Sequence, residues 1–251
     1  MKYLLTALIP GILTAVAVYL YLQDIQQKAD IEREHQEILR AEQMVEKKLQ
    51  EINSEISSRL SSFTKSIAED RNFTLRLLVE NDRSSPDITQ SAARFLGPMG
   101  FSVLDLTDSS FVILSSGHFP ANAGNSIANK ASSLDKQPGV YRENLIGNEV
   151  LTMQALSRFE IAEFPFFAAG GLKLDEEFLR KLSPSSDITV LLKDDNKYIG
   201  DIDVRSISEI KDNRILINGN EFLASQISLP SSGENNPVLI IVLRDRSKVK
   251  P

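Results

Sequence analysis

Hydrophobic positions along this chain fall into three successive rhythms. The first is a solid apolar run, Tyr3 to Leu22, 20 residues without a charge, preceded by Lys2 and followed by Gln23-Asp24. That length spans a hydrocarbon core of about 30 Å as a helix, and Tyr19 and Tyr21 near its end suit a headgroup belt. Ala15-Val16-Ala17 also has the small-x-small form of a signal cleavage site, but the apolar character continues through Val18 to Leu22 and favours a retained anchor. The second rhythm is helical. From Asp24 to Leu78 there is neither proline nor glycine, and Ile25, Ile31, Ile38, Val45, Leu49, Ile52, Ile56, Leu60, Phe63 and Ile67 recur at three- and four-residue spacing among charged residues. A long amphipathic helix leaving the membrane is expected, its early stripe (Ile31, Ile38, Val45) being a candidate seam for a parallel homodimer.

The third rhythm is that of strands broken by turns. Asp82-Arg83-Ser84-Ser85-Pro86-Asp87 ends the helix, and strand patterns follow at Phe101 to Leu106, Phe111 to Ser115, Val140 to Leu145, Val150 to Phe159 and Phe164 to Ala169. Gly117 to Pro138, rich in Gly, Asn, Ala and Ser, reads as a long loop with a turn or two of helix. Gly170-Gly171 is expected to break the chain. Leu174 to Leu182 reads as a short helix with acids early and bases late, as the helix dipole prefers. A second strand set then runs Ile188 to Lys193, Tyr198 to Val204, Arg214 to Ile217, Glu221 to Leu229 and Val238 to Arg244.

The two strand sets echo each other. Gly147-Asn148-Glu149-Val150-Leu151-Thr152-Met153-Gln154 matches Gly219-Asn220-Glu221-Phe222-Leu223-Ala224-Ser225-Gln226 at Gly, Asn, Glu, Leu and Gln. Upstream, Val103-Leu104 with Asp108, Phe111 and Val112 is answered by Val190-Leu191 with Asp195, Tyr198 and Ile199. The upstream match is offset by 87 residues and the other by 72, so the later copy has a connection 15 residues shorter. Two collinear matches argue for a duplicated β module. The shared Gly-Asn-Glu reads as a hairpin turn, where Gly supplies positive φ.

Composition removes several function classes. A net charge of -6 gives no basic footprint for nucleic acid. The absence of cysteine excludes disulfides, thiolate nucleophiles and cysteine metal sites. His35 and His118, 83 residues apart, make no histidine metal motif, and no Gly-x-Ser-x-Gly elbow supports a hydrolase. Neither enzymatic activity nor a cofactor is expected. His35, in Glu34-His35-Gln36-Glu37, reads as a surface histidine.

The order of anchor, long helix, sheet module, short helix and second sheet module resembles the double Cache domains, PAS-like sensors found outside the membrane in bacterial sensor histidine kinases and related receptors. The phrases that carry the resemblance are Val103-Leu104-Asp105, Ile113 to Pro120, Gly170-Gly171-Leu172-x-Leu174-Asp175-x-x-Phe178-Leu179 and Val190-Leu191-Leu192, and it covers about Glu69 to Arg246. It implies an α+β fold divided into an anchor (1–22), a long amphipathic stalk helix (23–80), a membrane-distal module (81–170), a membrane-proximal module (171–247) and a tail (248–251) where a second membrane helix would begin. It further implies a small-molecule sensor in the cytoplasmic membrane whose bulk lies outside, acting in two-component signalling, with a kinase core in a full-length relative. The Arg-x-Trp-Tyr pattern of amino-acid-binding Cache domains is missing, since the protein has no Trp.

In that family the ligand cavity lies in the distal module, between the sheet and the long loop that covers it. The candidates here are therefore His118 at the start of the loop, Tyr141 and Arg142 after it, and Arg158 on the next strand. An arginine can grip a carboxylate through two parallel hydrogen bonds, so a carboxylate is among the ligands expected. Ordinary surface and packing roles stand beside these assignments: Arg142 and Arg158 pointing to solvent, Tyr141 in the core. A membrane-anchored coiled-coil and β scaffold of the cell envelope is the other reading, although the Gly-Val-rich strands it calls for are scarce.

Overall fold

A computed structural model describes residues 2–145, 147–231 and 237–245, with side chains from residue 17 onward. The tail at 248–251 and most of the loop before Val238 lie outside this description. Helix α1 (Lys2–Ala68) is one continuous element, in keeping with its freedom from internal breakers beyond Pro10-Gly11. The expected anchor falls largely on residues whose side chains are not described. Among the described residues no helix is long and apolar enough to cross a membrane.

The helical rhythm stops short of Leu78. After Glu69, Asp70 caps a new turn by accepting hydrogen bonds from the Asn72 and Phe73 amides, starting α2 (Arg71–Thr74), and a π-helical turn follows at Leu75–Val79. Two short helices, α3 (Pro86–Thr89) and α4 (Ser91–Leu96), lead into the first sheet.

That sheet comprises β1 (Val103–Thr107), β2 (Ile113–Ser116), β3 (Gly139–Leu145), β4 (Asn148–Ile161) and β5 (Phe164–Lys173), all antiparallel, in the order β2-β1-β5-β4-β3. Helix α5 (Ala128–Leu134) lies in the long β2–β3 connection and α6 (Glu176–Leu182) joins the sheets, capped by Asp175 on the Phe178 amide. The second sheet comprises β6 (Ile188–Asp194), β7 (Lys197–Ile199), β8 (Arg214–Ile217), β9 (Asn220–Leu229) and β10 (Val238–Asp245), in the order β7-β6-β10-β9-β8. Strand for strand this is the topology of the first. The hairpin turns carry the repeated glycine at φ 86° (Gly147) and 83° (Gly219), a backbone that L side chains rarely adopt.

The main core joins the long helix to both sheets. Ile38, Val45, Ile52, Ile56, Leu60, Phe63 and Ile67 of α1 are buried together with Leu104, Met153 and Ala168 of the first sheet and Leu223, Ile240 and Val242 of the second. Each of the larger side chains, Ala168 aside, contributes about 1.5–3 kcal/mol by leaving water. The helix passes the second sheet first, with Glu34 to Arg214 at 2.6 Å and Glu37 to Arg244, and then the first, where Leu60 lies over Gly170.

Three expectations change. Gly170-Gly171 does not break the chain; β5 continues through to Lys173. These glycines serve close packing, since a Cβ on Gly171 would lie 2.0 Å from the Met153 carbonyl oxygen and one on Gly170 2.9 Å from Leu60 Cδ2. Ile38 and Val45, read as part of a dimer seam, are buried within their own chain, while Ile25 and Ile31 remain exposed. The upstream echo is one residue out: rung by rung, Val103-Gly171-Gln154 corresponds to Leu191-Ile241-Gln226, so Val103-Leu104 matches Leu191-Leu192.

Candidate functional site

Strands expose alternate residues to opposite faces, and the two faces of the first sheet differ in kind. Leu104, Leu106, Met153 and Ala155 face the apolar side with α1, whereas Asp105, Thr152, Gln154, Tyr141 and Glu143 face the other, which α5 covers. Ile127, Leu134, Tyr141, Leu156 and Ala169 form the small apolar cluster that seats α5 on this side. Backbone contacts hold the stretch before α5 to the strand preceding it: the Ile127 amide donates to the Phe111 carbonyl at 2.9 Å, and the Ile113 amide to the Asn125 carbonyl at 2.8 Å.

Beside that seat lies a cluster of buried polar side chains. Lys130 of α5 places Nζ 2.6 Å from Glu143 Oε1 and 3.5 Å from Asp105 Oδ2. Gln154 donates to Glu143 Oε1 at 2.8 Å and to Thr152 Oγ1 at 2.7 Å; Thr152 in turn donates to the Tyr141 carbonyl at 3.1 Å. His118 reaches in from the end of β2, its Nδ1 accepting from the Leu104 amide at 3.3 Å and lying 3.7 Å from Asp105 Oδ1, its Nε2 3.7 Å from Glu143 Oε2. The Ser116 hydroxyl also lies 3.3 Å from Nδ1, and Nε2 is the ring nitrogen that faces Glu143. Burial raises the Glu143 carboxyl's pKa, but His118, the Lys130 ammonium and the Gln154 amide outweigh it and hold the group at about 2.

Two atoms in this cluster lack hydrogen-bond partners, Asp105 Oδ1 and His118 Nε2, on side chains only 3% and 2% exposed. Unpaired buried polar atoms cost stability and call for an explanation. Among the described residues no group of three His, Cys, Asp or Glu side chains is arranged to hold a metal ion.

Of the four residues singled out in the sequence, His118 is at the heart of the cluster and Tyr141 sits at its edge with Leu134 and Ala169. Arg142 faces away from it, gripping Asp194 of the second sheet through Nη1 at 3.1 Å and Nη2 at 2.6 Å. It borders a separate cleft of about 660 Å³ between the modules, together with Asp175, Arg180 and Ile199. Arg158 is 64% exposed at the far end of β4 beside Glu160. Asp105, Lys130, Glu143 and Gln154 escaped the sequence reading. A signal existed: Asp105 interrupts an otherwise apolar strand, and Tyr141-x-Glu143 and Thr152-x-Gln154 fall in phase on one face.

No family model and no curated protein matches this chain. Its fold is nevertheless found among solved structures. The periplasmic domain of Vibrio cholerae LuxQ aligns at 12% identity over 84% of this chain and 99% of that one, with a TM-score of 0.50. The extracellular domain of the putative histidine kinase vpHK1S-Z8 aligns at 10% identity over 86% and 98%, with a TM-score of 0.50. The ligand-binding domain of the Campylobacter jejuni chemoreceptor Tlp3, in complex with 4-methylisoleucine, aligns at 10% identity over 88% and 94%, with a TM-score of 0.51. Two tandem five-stranded antiparallel sheets behind a long N-terminal helix are thus a fold that these solved domains share.

Proposed function

We propose that this chain is the ligand-sensing part of a membrane-anchored bacterial receptor of the two-component type. The apolar run 3–22 anchors it, its bulk lies on the outer side of the cytoplasmic membrane, and the first sheet module is distal to the bilayer. A small molecule binds beneath α5, at His118, Tyr141 and the polar groups around them. The observation that carries this reading is the buried polar cluster on one face of the first sheet, with partnerless atoms on Asp105 and His118. The solved domains of like fold are a periplasmic domain, the extracellular domain of a putative histidine kinase and the ligand-binding domain of a chemoreceptor, which supports a sensing role over a catalytic one.

Strand β3 supplies the route of transmission. Tyr141 and Glu143 face the cluster, while on the opposite side Arg142 holds Asp194 and the Val140 amide donates to the Pro230 carbonyl at 2.7 Å. A ligand that moves Glu143 therefore moves the contacts to the second module, and through Arg214 and Arg244 the helix that leads to the anchor. Signalling of this kind requires that the ligand bind two arrangements with different affinity. In the assembled receptor two copies pair along the exposed part of α1, at Ile25 and Ile31.

Thermal unfolding of the full chain in detergent, screened against amino acids, amines and organic acids, tests the proposal. At least one compound is expected to raise the melting temperature. Absence of a shift with every compound would remove the small-molecule reading.

A further inference from the structure

The reading above leaves open what kind of group the site takes, and rests on there being a ligand pocket at all. The charges of the cluster answer the question of kind. Asp105 and Glu143 bring two carboxylates and Lys130 one ammonium, while His118 turns Nδ1 to the Leu104 amide as an acceptor. The arginines that would have gripped a carboxylate are elsewhere, Arg142 on Asp194 and Arg158 in solvent. The site thus sets two carboxylate side chains against one amine side chain, and its spare acceptor is Asp105 Oδ1. A carboxylate entering here would face two like charges in a poorly solvated place; a cation would be drawn to it.

The position a cation would take is already filled by the protein. Lys130 reaches it from α5, a helix otherwise held by a few apolar contacts (Ile127, Ala131, Leu134) and by the backbone before it. We propose that Lys130 is a built-in ligand: its ammonium occupies a site for a primary ammonium formed by Asp105 and Glu143, and an external ligand bearing such a group takes its place and frees α5. Charge is conserved in the exchange, one ammonium leaving the carboxylate pair as another arrives. The incoming group gains Glu143 Oε1 and the unused Asp105 Oδ1, while the Lys130 side chain, already 15% exposed, turns outward to water.

The test is chemical rescue. In the full chain carrying Lys130→Ala, the two carboxylates lose their counter-charge, and the melting temperature falls by on the order of 10 °C. Methylammonium chloride at tens of millimolar is expected to restore part of that loss, to stabilise the variant more than the wild type, and to do so better than tetramethylammonium chloride, which matches its charge but has no N–H donors. If Lys130→Ala is unfolded in plain buffer, recovery of its circular dichroism on titrating in methylammonium, and not tetramethylammonium, carries the same meaning. Adding Glu143→Gln should abolish the difference between the two salts. Equal responses to the two salts, or equal responses of variant and wild type, would overturn the proposal. So would a screening ligand that has no amine yet displaces Lys130, although that outcome would leave the sensor reading standing. Rescue by methylammonium with no ligand found in the screen would do the reverse, keeping the cation site and removing the sensor.

Discussion

The two sheets have the same strand order and the same hairpin glycines, yet one is built around charge and the other around grease. Rung by rung, Asp105 of the first corresponds to Lys193 of the second, Glu143 to Ile215, Thr152 to Ala224 and Gln154 to Gln226. Where the first sheet has α5 over a polar cluster, the second has a mainly apolar layer of Leu191, Ile215, Ile217, Ala224, Ile241 and Leu243, against which Tyr198, Ile202, Ile207 and Ile210 pack. Arg142 and Arg214, equivalent positions on β3 and β8, both reach outside their own sheet, one to Asp194 of the second module and the other to Glu34 of α1. The pair of arginines makes a chain of contact from first module to second to helix. The same strand order thus carries a polar cluster in one module and a mainly apolar layer in the other, and a polar cluster has alternative partners where apolar packing has none.

The sharpest way to break this contrast is to put the charge where it does not belong. Ile215→Glu, the module-two counterpart of Glu143, would bury a carboxylate in an apolar layer and should cost about 4 kcal/mol or more in denaturant unfolding, whereas Glu143 is tolerated in place. Next in size is Glu143→Gln, which leaves Lys130 with Asp105 alone and should cost on the order of 3 kcal/mol at neutral pH. The acid dependence follows from the same group. Its pKa is about 2 in the fold against an ordinary 4.5, so the unfolded chain takes up the proton first as pH falls. The stability Glu143 provides is present above about 4.5 and is lost progressively down to about 2, roughly 3 kcal/mol in all. In Glu143→Gln, urea midpoints measured across that range should be flatter; an unchanged profile would show that the cluster does not hold Glu143 ionised.

Arg142→Ala sharpens the comparison at the join of the modules. It should cost about 1–2 kcal/mol, and a double-mutant cycle with Asp194→Ala should return a favourable coupling for this two-pronged, partly buried pair. Ligand affinity in this variant should change less than the response of α1 to ligand, read by hydrogen exchange near Glu34. The smallest effect is expected at Arg158→Ala, within about 0.5 kcal/mol in stability and without effect on ligand binding, since this side chain is exposed and paired only with its neighbour Glu160.

Much of the architecture was readable in the chain. Most strands fall where alternation and turn residues put them, though the one expected over Tyr198 to Val204 is only β7 (Lys197–Ile199); α6 follows its charge gradient, and the duplicated Gly-Asn-Glu marks equivalent hairpins. What the chain did not show concerns pairing. Gly170-Gly171 reads as a break because glycine permits one, yet it lies in mid-strand because Met153 and Leu60 approach too closely for any Cβ. Arg142 follows the covering loop, and its strand turns it to the face opposite His118, toward Asp194. Lys130 lay in a stretch read as a loop, with no local sign that it would meet a carboxylate.

By itself, then, the sequence determined the order and type of the elements, the duplication and the long helix, because periodicity, capping and turn chemistry act between residues a few positions apart. Only the tertiary structure decided which face of the first sheet is polar and that Asp105, His118, Lys130, Glu143 and Gln154 meet. These residues come from four strands or their edges and one helix, and their meeting depends on strand register. A shift of one residue would send every side chain of a strand to the opposite face.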